Sequence, residues 1–149
     1  MEVRLIRQNK KDFLDLLLLA NEQENMIDKY LDRGDLYVLF DDNPISVCVV
    51  TNEGNGNFEI QNLATSEKYQ RKGYGRYLMN YVCDQYKTEC NDMLVGTGDS
   101  PNTIPFYESC GFTFSHRIKN YMIENYDNPI YENGIQLFDK VYLKKTLKE

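Results

Sequence analysis

The chain has 149 residues, 42% hydrophobic and 27% charged, with a formal net charge of −6. Those totals suit one well-cored domain over residues 1–149 and exclude a disordered chain, while the acidic balance argues against a nucleic-acid partner, whose phosphates need basic patches. The densest apolar run, residues 14–20, is too short to cross a bilayer, and Met1-Glu2-Val3-Arg4 lacks the basic start and apolar centre of a signal peptide, so the expectation is a cytoplasmic protein with no membrane partner.

Residues 3–7 alternate and predict an opening strand. Residues 11–31 carry Phe13, Leu16, Leu17, Ala20, Ile27, Tyr30 and Leu31 at helical spacing, as one broken helix or two, with Gly34 as the stop. Residues 36–40 and 45–51 are β-rich runs joined by Asp41-Asp42-Asn43-Pro44, which has hairpin-turn chemistry. A second turn cluster, Asn52-Glu53-Gly54-Asn55-Gly56-Asn57, leads to a strand over 58–65. These short links predict an antiparallel meander. After Gly73 and Gly75, the residues Tyr74, Tyr77, Leu78, Tyr81, Val82 and Gln85 mark one face of a helix. A strand over 93–97 follows, then a short helix over about 102–110 with Gly111 as its left-handed stop. Residues 112–123 read as one long β-like segment, 126–134 as a polar loop, and 137–143 as a closing strand. The order predicts a single α/β (α+β) domain with a mixed sheet.

Cys48, Cys83, Cys90 and Cys110 are scattered without a C-x-x-C pair, and His116 is the only histidine. Neither a metal site nor a disulfide framework is expected from that spacing; the thiols read as reduced and buried.

Gln70-Arg71-Lys72-Gly73-Tyr74-Gly75 is the stretch that carries chemistry. It sits between the strand at 58–65 and the mouth of the following helix. Two glycines spaced by one residue let the backbone turn tightly and expose its first N–H groups. With the positive end of the helix dipole behind it, such a turn suits a phosphate or pyrophosphate. No G-x-x-x-x-G-K-[ST] run is present, and Gly73-Tyr74-Gly75 has Leu78 where a Rossmann fingerprint has its third glycine. Gly96-Thr97-Gly98 fails similarly, with Pro101 in that place.

The remaining pattern, Q-x-x-G-x-G after a strand and before a helix, resembles the GNAT superfamily of acetyl-CoA-dependent N-acetyltransferases. Glu59 to Thr65, then Tyr69 to Leu78, is similar to that family's central strand, pyrophosphate loop and helix. Asn102, Phe106-Tyr107 and Gly111-Phe112 are similar to its later N…FY…GF segment. The resemblance implies a GNAT-like, largely antiparallel sheet flanked by helices, with acetyl-CoA as cosubstrate, no metal, an amine acceptor and a possible homodimer. It places the pantetheine arm on the backbone of Leu63, Ala64 and Thr65. The loop of Gln70, Arg71, Lys72, Gly73, Tyr74, Gly75 and Arg76 would then hold the pyrophosphate, the side chains of Arg71, Lys72 and Arg76 adding charge.

On the same basis Tyr107 is the candidate acid for the departing thiolate, the alternative being a packing role. Asn102 is a candidate pantetheine ligand or a helix cap. Glu59, on the central strand, is a candidate general base if burial raises its pKa; a solvated or salt-bridged carboxylate is the alternative. His116 titrates in a suitable range but lies on an edge-like segment. Tyr126, Asp127, Tyr131 and Glu132 combine aromatic and acidic groups that would suit a cationic amine. No cysteine has the histidine partner of a thiol nucleophile, which leaves direct attack in a ternary complex as the expected mechanism.

Overall fold

The computed structural model describes residues 1–148. Strand β1 (Glu2–Ile6) leads through a single 3₁₀ turn into two short helices, α1 (Leu14–Ala20) and α2 (Glu24–Ile27). The helical pattern expected over 11–31 is therefore broken at Asn21, which is extended and ends α1. The break has a use: the Asn21 side chain donates to the Tyr30 hydroxyl (3.1 Å) and accepts from that of Tyr126 (2.9 Å). Gly34 then gives way to β2 (Asp35–Asp41) for a reason the sequence does not reveal. A Cβ there would sit 2.7 Å from a Val49 methyl and 2.9 Å from the Tyr30 carbonyl, so the glycine serves close packing.

Strands β3 (Asn43–Gly54) and β4 (Asn57–Thr65) complete an antiparallel meander with β1 and β2. Its turns contain Asp42 (φ 63°), Asn55 (φ 56°) and Gly56 (φ 79°), residue types that tolerate the left-handed region best. Helix α3 (Tyr74–Tyr86) is the crossover that returns the chain parallel to β4 as β5 (Asp92–Gly98). Its buried stripe is Leu78, Met79, Val82, Cys83 and Tyr86, one position round from the predicted face. Tyr77 and Tyr81 flank that stripe and remain exposed, as amphipathic rings can.

Helix α4 (Thr103–Ser109) ends at Gly111, whose φ of 96° supplies the left-handed stop. The segment expected to be one long strand instead divides into β6 (Thr113–Ile118) and helix α5 (Tyr121–Asn125). The divider is Asn120, at φ 58°, whose amide donates to the Asp139 carboxylate at 2.9 Å. The polar loop contains a hairpin, β7 (Ile130–Glu132) and β8 (Ile135–Leu137), turned by Asn133 and Gly134 at φ 51° and 81°. Strand β9 (Lys140–Thr146) inserts between β5 and β6, so the main sheet runs β1-β2-β3-β4-β5-β9-β6. Only the β4–β5 pair is parallel in that sheet.

Each face of the sheet carries its own core. Phe58 and Ile60 pack with α3 and α4, whereas Leu36, Val38, Val47, Val49 and Ala64 pack with Leu17 and Ile27 of the first helices. Complete burial of each such side chain contributes about 1.5–3 kcal/mol. No helix among the described residues is long and apolar enough to cross a membrane.

Candidate active site

The site begins where two neighbouring strands part. β4 and β5 pair only from Asn57–Asp92 to Ile60–Val95. Beyond that point β5 stays zipped to β9 as far as Gly98–Lys140, while residues 62–65 of β4 pair with β3 alone. The cause is a bulge: Val49 opposes Asn62 and Val50 opposes Ile60, leaving Gln61 as the extra residue that bends the strand. It also resets the side-chain alternation. Ile60 faces the α3 core, and Asn62 and Ala64 turn to the opposite face with Glu59. The gap widens into a cleft of about 1320 Å³.

At one end lies the mouth of α3. Arg71 (φ 63°) and Gly73 (φ 86°) are both left-handed, a conformation that costs nothing only at glycine. This turn presents the amides from Arg71 to Arg76 with no backbone acceptor and no side-chain cap among the described residues. Unmet donors at a helix N-terminus are a ready anion site. The Gln70 side chain acts differently: it donates to the Thr65 carbonyl (3.0 Å) and fastens the loop to the end of β4. Thr65 is held in turn by the Ser46 hydroxyl at 3.0 Å. Arg76 reaches sideways to the Ser109 carbonyl (3.2 Å) and hydroxyl (2.8 Å), joining α3 to α4. Arg71, Gly73, Tyr74 and Gly75 line the cleft; Lys72 is exposed outside its wall.

Asn102 and Tyr107 form the wall facing Leu63, Ala64 and Thr65. The start of α4 is capped by Ser100, whose hydroxyl accepts from the Asn102 and Thr103 amides (3.2 and 3.1 Å). The Asn102 side chain makes no cap bond and is exposed at the cleft. Tyr107 is 6% exposed and clamped edge-on by Phe106 and Phe112, at 5.1 and 5.7 Å between centroids. Its hydroxyl has no hydrogen-bond partner among the described residues. Burial, with the Cys48 and Cys110 thiols nearby, pushes its pKa well above the ordinary tyrosine value. It is therefore a neutral phenol with a proton to give.

Glu59 is 9% exposed on the opposite wall, and burial raises its pKa; Lys140 draws it back, Glu53 pushes it up and Arg33 lowers it. Beside it, Asn62 donates to both the Leu17 carbonyl and the Tyr30 hydroxyl at 3.0 Å. Those bonds fix its amide orientation and leave its buried Oδ1 without a partner among the described residues. Asn62→Leu should cost no more than about 1 kcal/mol, because the Leu17 carbonyl keeps the Asn21 amide (3.2 Å), the Tyr30 hydroxyl keeps the Asn21 side chain (3.1 Å) and an unpaired buried oxygen is removed; a denaturant or thermal melt reads it. The sequence signals the turn of Asn62 only through the broken apolar alternation after Ile60, and offers no signal for Lys140, whose surroundings depend on strand pairing across the sheet.

Tyr126, Tyr131 and Glu132 line the far end of the cleft, and Asp127 does not. Tyr126 and the Asp127 amide tie this segment to Asn21 and Gln23 (2.9 and 2.8 Å), while Glu132 accepts from Thr103 at 3.3 Å. His116 lies outside the cleft, stacked on Tyr142 at 4.6 Å. All four thiols are free and buried.

The chain is similar to known proteins in both sequence and fold. A family model described as an acetyltransferase (GNAT) domain matches residues 32–114. The uncharacterized N-acetyltransferase YvbK of Bacillus subtilis is 32% identical over 146 residues, which span 96% of this chain and 94% of that protein. A GNAT family acetyltransferase from Elizabethkingia anophelis with acetyl-CoA bound superposes with a TM-score of 0.92 at 32% identity, covering 98% of this chain and 97% of the other. A Bacillus subtilis acetyltransferase in complex with CoA gives 0.88 at 32% identity, with 98% of each chain covered. The chain belongs to the GNAT acetyltransferase family and is an acyltransferase.

Proposed function

We propose that this enzyme transfers the acetyl group of acetyl-CoA to a primary amine by direct attack in a ternary complex. The observation that carries the reading is the continuity of one cleft, from the unmet amides of the α3 mouth, past Tyr107, to the buried carboxylate of Glu59. The amides between Arg71 and Arg76 would take the pyrophosphate, and the unpaired edge of Leu63, Ala64 and Thr65 the pantetheine amides. Asn102 stands beside that path. The bound thioester supplies an activated acyl carbon and a thiolate leaving group.

Glu59 takes a proton from the ammonium, directly or through one water, and frees the nitrogen lone pair. As the C–N bond forms and the C–S bond breaks, Tyr107 protonates sulfur. The proton then shed by the new amide nitrogen restores the phenol. The acceptor end, with Tyr126, Tyr131 and Glu132, is aromatic and acidic enough for a cationic amine. Thiol release from acetyl-CoA across amino acids, polyamines, aminoglycosides and peptides tests the reading. Heat of cofactor binding without thiol release from any acceptor would sink it. Cys110→Ser should keep turnover, since no thiol attacks.

Glu59→Gln should separate chemistry from stability. A folded pKa raised above the unfolded value makes the carboxylate a stabilising group only below its unfolded pKa, and that contribution is lost as pH rises through the folded pKa. The variant should therefore melt a few degrees higher than wild type at neutral pH. The gain should vanish as the pH falls below the ordinary carboxylate range. Turnover at neutral pH should drop by about 10²-fold. Higher activity in the variant would remove Glu59 from the mechanism.

A further inference from the structure

Lys140, at the start of β9, is a cation held in place with no carboxylate within salt-bridge distance among the described residues. Its ammonium lies over two rings, 4.6 Å from the centroid of Tyr121 and 4.9 Å from that of Tyr142. Its stem crosses Gly96 on β5: a Cβ at that glycine would collide with Lys140 Cε and come within 2.9 Å of the Tyr142 ring. The side chain thus lies in a groove that exists only because residue 96 is glycine. All four residues line the cleft.

The nearby carboxylates are engaged elsewhere. Glu53 takes Arg33 at 2.8 Å, and Asp139 takes Arg117 at 2.7 Å. Glu59 acts on Lys140 only from beyond salt-bridge distance, and burial biases it towards its neutral form. Among the described residues Lys140 forms no ion pair. A half-buried charge without a counter-ion is unfavourable, and the two ring faces offset that only in part.

We infer that the amine acceptor also carries an anionic group, a carboxylate or phosphate, which pairs with Lys140 while its ammonium faces Glu59. A zwitterion with a few bonds between its charges, such as an amino acid or an aminoalkyl phosphate, meets both walls at once. This rests on the amine-transfer reading above, but it can be tested without turnover.

Calorimetric titration into the protein–CoA complex would use matched pairs: L-tyrosine against tyramine, L-lysine against cadaverine, and O-phosphoethanolamine against ethanolamine. In at least one pair the anionic member should bind about 10- to 100-fold more tightly, the range a charge-assisted hydrogen bond supports. The carboxylate and phosphate arms identify which anion is read. Lys140→Met keeps a stem in the groove over Gly96 and should erase the preference, with acetyl-CoA affinity unchanged as the control for folding. Lys140→Gln serves if the methionine variant melts early. Equal binding within every pair, no binding by any member, or a preference that survives loss of the charge would each overturn the inference. Thiol release with the same pairs keeps the two readings apart. Preferential binding without release sinks transfer alone, and release without preference sinks the role of Lys140 alone.

Discussion

Replacing Gly75 by tryptophan is expected to weaken acetyl-CoA binding by about 10²-fold or more, the loss of at least two charge-assisted hydrogen bonds. Gly75 is in the first turn of α3, and its missing Cβ points across the notch towards the end of β4, where it would meet Thr65 Oγ1 at 3.3 Å. That contact is close but yields to a small shift, and the backbone is not in the left-handed region. An indole grafted there must therefore extend over the amides from Arg71 to Arg76, which donate to no group among the described residues. It would cover the anion site while the helix forms as before. Gly73 would be a poorer choice: at φ 86° any side chain strains the turn, although the space around it is open. Calorimetry with acetyl-CoA, on a variant whose circular dichroism melt matches wild type, reads the effect. Unchanged affinity would remove this loop from the cofactor site.

That loop was the most legible part of the chain, because its chemistry is local. Two glycines, a preceding strand and a following helix lie within a few residues, and each constrains the backbone directly. The meander and the α4–Gly111 stop were legible for the same reason. Non-local causes hid the rest. The Gln61 bulge shows in the sequence only as a skipped step in the apolar alternation, from Phe58 and Ile60 to Leu63, yet it sets which face Asn62 occupies and where the strands part. The strand expected through residue 123 stops at Asn120 because Asp139, far along the chain, takes its amide. Asn133-Gly134 between two apolar runs was a readable hairpin signal, masked by the polarity of the surrounding segment. Lys140 could not be singled out at all, since its groove depends on which strand lies beside Gly96. Local turn chemistry is written in adjacent residues, whereas the cleft wall around Glu59 and Lys140 is assembled from β4, β5, α5 and β9.

Tyr107→Phe should lower kcat by about 10²-fold, the usual contribution of a positioned proton donor, with acetyl-CoA binding little changed. The substitution is unusually clean. The ring keeps its contacts with Phe106 and Phe112, and the hydroxyl has no protein partner among the described residues, so its removal orphans no buried group. Stability should be close to that of wild type, because the ring packing is kept and Tyr107 lines the cleft, so no buried partner is lost with its hydroxyl. If the tyrosine only packs, phenylalanine does the same work and the rate does not move. The pH profile adds an independent constraint. Since burial lifts the phenol's pKa above the ordinary tyrosine value, wild-type turnover should show no alkaline fall from this group on approaching a pH of about 10. In the proposed mechanism the acid limb would come from Glu59, whose raised pKa would move the loss of rate upward from the ordinary carboxylate range, and Tyr107→Phe should leave that limb where it is. The phenylalanine variant must therefore be slow at every pH while retaining the same acid limb. An unaltered rate assigns Tyr107 to packing, and an acid limb that shifts with it would mean that the two groups do not act at separate steps.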